Sequence, residues 1–256
     1  MFKDLKEEDF YKLKMVSKDR LSPDGIAVFL IGSFIFGAVA TGVSWGIYKS
    51  DDYIHGSILE SVLKTQFILM IISLLAAAFF SNTKNQFKFQ RSQAVVLALI
   101  SIRLSLDMSL FYFFACEDRH APNYMTNLGL LFVIGGVVFL FISTLRGIHR
   151  VNAGMFRKGG KYLYNFSKSK IYISSPIAYS IILIGGTLSR ILSGSNGSSF
   201  QIVELLFILI LAVIIQYGLA LVWPEFFLLA YCKNKFPTFI CKMPERWLDY
   251  KQRGGK

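Results

Sequence analysis

The chain has 256 residues, 54% of them apolar and 15% aromatic, and its 28 Lys and Arg outnumber 16 Asp and Glu for a formal charge of +12. A soluble domain averages about 45–50% apolar residues, and here the excess falls in blocks, the mark of membrane-spanning segments. The positive balance does not point to nucleic acid, because no soluble stretch carries a helix-turn-helix pattern or an RNA-binding aromatic signature. The three cysteines, Cys116, Cys232 and Cys241, show no metal-type pairing.

Residues 1–25 form a charged segment ahead of the first apolar run, with six basic and six acidic residues. That pattern does not fit a cleavable signal peptide, so the first apolar run is expected to act as an uncleaved signal-anchor. Phe2, Leu5, Leu13 and Val16 are spaced to line one face of a short helix on the membrane surface. The alternative is a solvated helix of mixed charge. Leu21-Ser22-Pro23-Asp24-Gly25 reads as the turn into the first span.

The first span is expected at 26–48. Its small residues Ser33, Gly37 and Thr41, then Gly42 and Gly46, let another backbone approach closely. They suit packing within the bundle or, alternatively, a seam between two copies. Trp45 and Tyr48 fall where an interfacial aromatic belt belongs. The second span, 57–80, opens with Glu60 and Lys64, four apart with the acid first, the favourable order for a helical ion pair. Both lie near enough to the span end to snorkel to the interface.

The third span, 94–115, carries Arg103 and Asp107 near its middle, where charge is expensive. Its polar residues alternate: Ser101, Arg103, Ser105, Asp107, Ser109. Alternation is a strand signal, but the remaining spans are continuous apolar runs, so a barrel is excluded and a helix predicted. On a helix the three serines gather on one side, with Arg103 and Asp107 one turn apart on roughly the other. The following loop holds Cys116, Glu117, Asp118 and His120, mixed ligand types without the second ligand pair that a metal site needs.

The fourth span, 126–145, has Gly135-Gly136 at its centre. The fifth, 175–193, repeats Ile-Gly-Gly at Ile184-Gly185-Gly186, which predicts close contact between these two helices, and it carries Arg190 near its far end. Between them, 146–174 contains seven basic residues and no acid. Arg150, Arg157, Lys158, Lys161, Lys168 and Lys170 of this loop suit anionic lipid headgroups or a cytoplasmic protein partner. The sixth span, 200–222, contains Glu204. Pro224 is expected to end or kink it, leaving a tilted or interfacial piece at 223–231. The spans and connections at 26–231 then make up the transmembrane domain, and 232–256 a basic cytoplasmic tail.

Lys and Arg mark the cytoplasmic side of a membrane protein. The N-terminal segment, the connection at 81–93, the 146–174 loop and the tail carry six, three, seven and seven of them, against two in the remaining connections. Six helices with both termini inside put all four basic segments on one face. The expected class is therefore all-α: a polytopic protein of a bacterial cytoplasmic membrane. Glu60, Lys64, Asp107, Arg190 and Glu204 then fall in the outer half, with Arg103 near the middle. They either join helices or line a polar cavity.

No Gly-rich phosphate loop, His-Glu-x-x-His pair or Gly-x-Ser-x-Gly elbow is present. Neither an enzyme nor a cofactor or metal site is predicted. Size and span number are compatible with membrane subunits of bacterial exporters and with small immunity proteins, on architecture alone. The expectation is a transport-related role as a small permease or the membrane subunit of a larger transporter, with Arg103 and Asp107 as its polar site. The alternative is a binding protein without transport, such as an immunity or scaffold protein.

Overall fold

The computed structural model describes residues 5–50, 58–161 and 198–243. Every described element is helical. A 3-10 turn at Glu7–Phe10 leads into α1 (Tyr11–Lys18), followed by α2 (Pro23–Ser50), α3 (Ile58–Ser81), α4 (Thr83–Lys88) and α5 (Gln90–Asp118). Then come α6 (Asn123–Asn152), α7 (Ser198–Lys235) and a closing 3-10 turn, Pro237–Phe239. Five of these, α2, α3, α5, α6 and α7, are long and apolar enough to cross a bilayer, as expected of a helical multi-pass membrane protein. They match the first four and the last of the predicted spans. The predicted fifth span, with Arg190, lies outside the described residues, as do Lys168 and Lys170.

The alternating segment of the third span is helical, and α5 is the centre of the bundle, touching α2, α3, α6 and α7. Its polar residues explain why. Ser101, Ser105 and Ser109 are buried on the side toward α7, where Ser109 lies 3.5 Å from Gln216. Asp107 is buried, and the Arg103 side chain is 8% exposed, on the side toward α2 and α3. A helix that is polar on two sides finds no favourable lipid-facing orientation, so it is enclosed.

The connection at 81–93, expected as a loop, is a helical corner. Asn82 caps α4 by accepting from the Lys84 amide at 3.0 Å. Asn85 and Gln86 donate to the carbonyls of Phe79 and Phe80 at 2.9 and 2.8 Å. Those are two of the last α3 carbonyls, which have no partner within the helix. Gln90 then exchanges two hydrogen bonds with the Cys241 backbone, and Gln93 donates to the Pro23 carbonyl at 2.7 Å. The α4–α5 corner therefore binds both the N-terminal segment and residues 236–243.

One face of the N-terminal helix packs on the bundle. Phe10 and Leu13 are fully buried against the bundle. The Phe10 ring packs on Tyr231 and Phe236, with centroids 6.0 and 5.8 Å apart, and the Lys12 amide donates to the Phe156 carbonyl at 2.9 Å. The described parts of the four basic segments thus meet at one end of the bundle.

Helix α7 runs through Pro224 to Lys235, so of the two expectations for Pro224, an end or a kink, the helix does not end there. Cys232 and Lys233, assigned to the tail, are fully buried residues of this helix. Proline is tolerated in a membrane helix where a neighbour closes over the disrupted turn. Here α6 does so: a Cβ on Gly147 would lie 2.8 Å from Pro224. The same seam occupies the predicted Ile-Gly-Gly contact. Gly136 is pressed against the Gln216 side chain, which donates to the Val133 carbonyl at 3.0 Å, and Phe139 stacks on Tyr217 at 5.4 Å. Gly135, Gly136 and Gly147 of α6 therefore face α7, whereas Gly129 faces Tyr112 and Phe113 of α5. Ile184-Gly185-Gly186 lies outside the described residues.

Gly136→Ala should lower the thermal midpoint of the purified chain in detergent, because the added methyl overpacks a close contact at a cost of about 1–3 kcal/mol. Gly42→Ala, with nothing within 4 Å of the new Cβ, should leave the midpoint unchanged or raise it slightly through helix propensity. Equal midpoints for the two variants would contradict a tight α6–α7 seam.

Candidate functional site: a polar cluster among three membrane helices

Spacing of four residues puts Arg103 and Asp107 on one face of α5. Arg103 Nη2 lies 3.4 Å from Asp107 Oδ2, with side-chain exposures of 8% and 3%. The guanidinium also crosses to α3, where Nη1 donates to the Leu69 carbonyl at 3.0 Å and to the Ser73 hydroxyl. The Ser73 hydroxyl in turn donates to the same Leu69 carbonyl at 2.9 Å. One arginine thus fastens the middle of α5 to the middle of α3.

Helix α2 approaches the pair through Gly37. A Cβ at that position would collide with Arg103 Nη2 and lie 3.2 Å from Asp107 Oδ2. Glycine is what allows the α2 backbone to cover the charges. One turn on, Thr41 is buried on the same face. From α3, the Gln66 carboxamide, 2% exposed, faces Asp107. The predicted small-residue face of α2 is therefore an internal one over Ser33, Gly37 and Thr41. Gly42 has no neighbour within 4 Å of its Cβ position.

Hydrogen-bonding capacity is left over in this cluster. Both polar atoms of Gln66, the Thr41 hydroxyl, Arg103 Nε and Nη2 and Asp107 Oδ2 are buried without a hydrogen bond of standard geometry among the described residues. Buried polar atoms are ordinarily paired; here Arg103 Nη2 and Asp107 Oδ2 have only each other, at 3.4 Å, and the Gln66 carboxamide faces Asp107. A cavity of about 270 Å³ borders the cluster between α3 and α5. Its walls are Ile58, Val62, Leu69, Leu106 and Leu110; Ser61, Thr65 and Gln66 add polar groups, and Arg103 and Asp107 reach it from the inner side. It lies along the first half of α3 and the second half of α5, the end of the bundle away from the basic segments.

The remaining predicted site residues are distributed differently. Glu60 and Lys64 form their ion pair at 2.7 Å on the first turns of α3, with the lysine 69% exposed, so they stand at the rim. Glu204 does not join the cluster. It accepts from Arg119 at 2.6 Å, and Arg119 also lies 3.4 Å from Asp118, clamping the end of α5 to the start of α7. In the basic loop, Arg157 binds Asp9 at 2.7 Å and so helps dock the N-terminal segment. Lys158 and Lys161 are exposed and Arg150 is half-buried.

Three further buried charged residues, Arg20, Glu225 and Lys233, lie outside the predicted site. Arg20 and Glu225, both 4% exposed, form an ion pair between the N-terminal segment and α7. The signal was a glutamate inside a long apolar run, which the expected break at Pro224 led us to place at the interface. Lys233 is fully buried, with its ammonium without a hydrogen bond among the described residues. Gln66 lay unremarked in the second span. Among the described residues no group of His, Cys, Asp and Glu is arranged to hold a metal ion.

Removing one member of a buried ion pair strands the other. Arg103→Leu or Asp107→Leu alone should each cost about 3–5 kcal/mol of stability, whereas the double Leu variant should lose much less. Thermal unfolding of the three proteins in one detergent checks this, and a double variant no better than the singles would show that the pair is not a unit. The docked N-terminal segment should respond to acid. Burial pushes the Asp9 carboxyl up, but the Lys6 amide and Arg157 outweigh it and hold it below the usual carboxylate range. A lowered value means stabilisation that is present above the ordinary carboxylate range and lost as pH falls through it to the lowered one. Amide protection across 5–18, corrected for intrinsic exchange, should fall over that window. Asp9→Asn should weaken the pH dependence, leaving the part owed to Glu7, which Lys14 also holds below the usual carboxylate range. No family model matches this chain, and no curated protein or solved structure matches it.

Proposed function

We propose that this chain is a six-span protein of a bacterial cytoplasmic membrane, with both termini in the cytoplasm, that acts in transport. It would be a small permease or the membrane subunit of a larger transporter. The observation that carries the reading is the cluster of Gln66, Arg103 and Asp107. It is charged and incompletely hydrogen-bonded, it sits halfway along the bundle, and it borders a cavity between α3 and α5. Ionisable groups at that depth are costly and concentrate on solute pathways.

Connectivity supports the span count. Helix α6 finishes at the basic end, whereas α7 starts beside Arg119 at the other, so one more crossing between them, by 175–193, closes the path. Charge supports the orientation. Four basic segments gathered at one end favour the cytoplasm there, which turns the cavity outward. Lys158 and Lys161 would each add on the order of 1 kcal/mol of attraction to anionic headgroups, and the 146–174 segment would also receive a cytoplasmic protein partner. Glu60 and Lys64 would stand at the cavity's mouth.

A second reading draws on Arg103's grip on the α3 backbone. In a non-transporting binding protein, such as an immunity or scaffold protein, the cluster would be purely a helix fastener.

The test uses right-side-out membrane vesicles from the native cell, so that any partner subunit is present, and follows osmotic swelling in small polar solutes. Vesicles with the intact chain should swell several-fold faster than vesicles lacking it. Those with the folded Arg103→Leu/Asp107→Leu protein should match the vesicles lacking it. Swelling independent of the chain would sink the transport reading and favour the second.

A further inference from the structure

Resting on that reading, we infer that the Gln66–Arg103–Asp107 cluster takes a small solute of zero net charge. The solute carries a hydrogen-bond donor and an acceptor at one end, as in a zwitterion or a primary amide, and has a short apolar body.

Charge balance is the first argument. The cluster holds one guanidinium and one carboxylate, 3.4 Å apart. Nearby on α3, Glu60 is paired with Lys64, whereas Arg119, shared by Glu204 and Asp118, clamps α5 to α7 away from the cavity walls. A solute with net charge would enter a low-dielectric site where nothing in excess compensates it, and an uncompensated charge there is strongly disfavoured. A dipolar solute meets both signs at once.

The bare atoms make the second argument. Arg103 Nε and the Gln66 carboxamide have no hydrogen bond of standard geometry among the described residues, and Arg103 Nη2 and Asp107 Oδ2 have only each other, at 3.4 Å, so buried donors and acceptors converge from two helices. A carboxylate or carbonyl on the solute would accept from the first set, and its ammonium or amide N–H would donate to the second. Gln66 is the discriminating element because it offers both functions on one side chain, is 2% exposed and lines the cavity. The Arg103–Asp107 separation exceeds the roughly 2.7–2.9 Å of a tight charge-assisted bond, so either partner can turn to the solute without breaking an optimal contact.

Size and walls make the third. About 270 Å³ falls just below the roughly 300–1,000 Å³ typical of drug-sized ligand pockets, so the solute is smaller than those. Val62, Leu69, Leu106 and Leu110 give the rest of it an apolar wall.

Four probes of near-equal size separate the possibilities: alanine, propionamide, propionate and ethylammonium. Binding is read from the thermal midpoint of the full chain in detergent, and flux from vesicle swelling. The intact chain should bind alanine or propionamide at least tenfold more tightly than propionate and ethylammonium. Gln66→Ala should lose most of that binding while keeping its fold. Asp107→Asn should switch preference to propionate, and Arg103→Gln to ethylammonium. Preference of the intact chain for either ion, equal binding of all four, or binding of none would overturn the inference. So would full binding by Gln66→Ala, which decides the matter if the charge variants do not fold. Binding of a neutral probe without flux would leave the inference standing and defeat transport. Flux restricted to an ion would do the reverse.

Discussion

A guanidinium cannot be left in hydrocarbon, and Arg103 sits at the centre of α5. The enclosure of α5 follows from that constraint. Asp107 supplies the opposite charge from the same helix, Leu69 and Ser73 supply acceptors from α3, and Gly37 gives way so that α2 can cover the pair. Each helix contributes what the others lack, and no single lipid-facing orientation of α5 would serve. The serines on its opposite side extend the same requirement to α7, through Gln216.

Around this centre, electrostatic fasteners hold the bundle at both ends. Arg119 and Glu204 tie the finish of α5 to the start of α7. Arg20 and Glu225, with Asp9 and Arg157, tie the N-terminal segment to the opposite end. Between the ends, the α6–α7 seam needs no charge. It relies on glycine, the close-contact device of helices that gain no hydrophobic advantage from leaving lipid. The polar cluster thus lies between a stiff, cross-linked frame and the sparsely covered α3, many of whose apolar side chains remain exposed.

Much of this was legible from residue order. Long apolar runs located five described helices, and the four-residue spacing of Arg103 and Asp107 predicted their pairing. The counts of Lys and Arg grouped four segments whose described parts the fold brings to one end. What eluded sequence reading has specific causes. Pro224 looked like a terminator because propensity says so, yet a glycine on α6, distant in sequence, lets a neighbour pack over the disrupted turn. Glu204 was grouped with Arg103 by depth alone, whereas Arg119, one residue beyond α5, was nearer to hand. Gln66 is an ordinary polar residue in an apolar run, and only its juxtaposition with Asp107 gives it meaning. Nothing local to the N-terminal helix announces that Tyr231 and Phe236 meet Phe10.

The Arg20–Glu225 contact joins residues separated by 205 positions. During synthesis the arginine emerges long before its counterpart exists. Through most of translation it must stay in contact with water or headgroups, and it can settle only after the final helix has been inserted. Closure of that end of the molecule is therefore a late event, which reports that the last helix has been delivered.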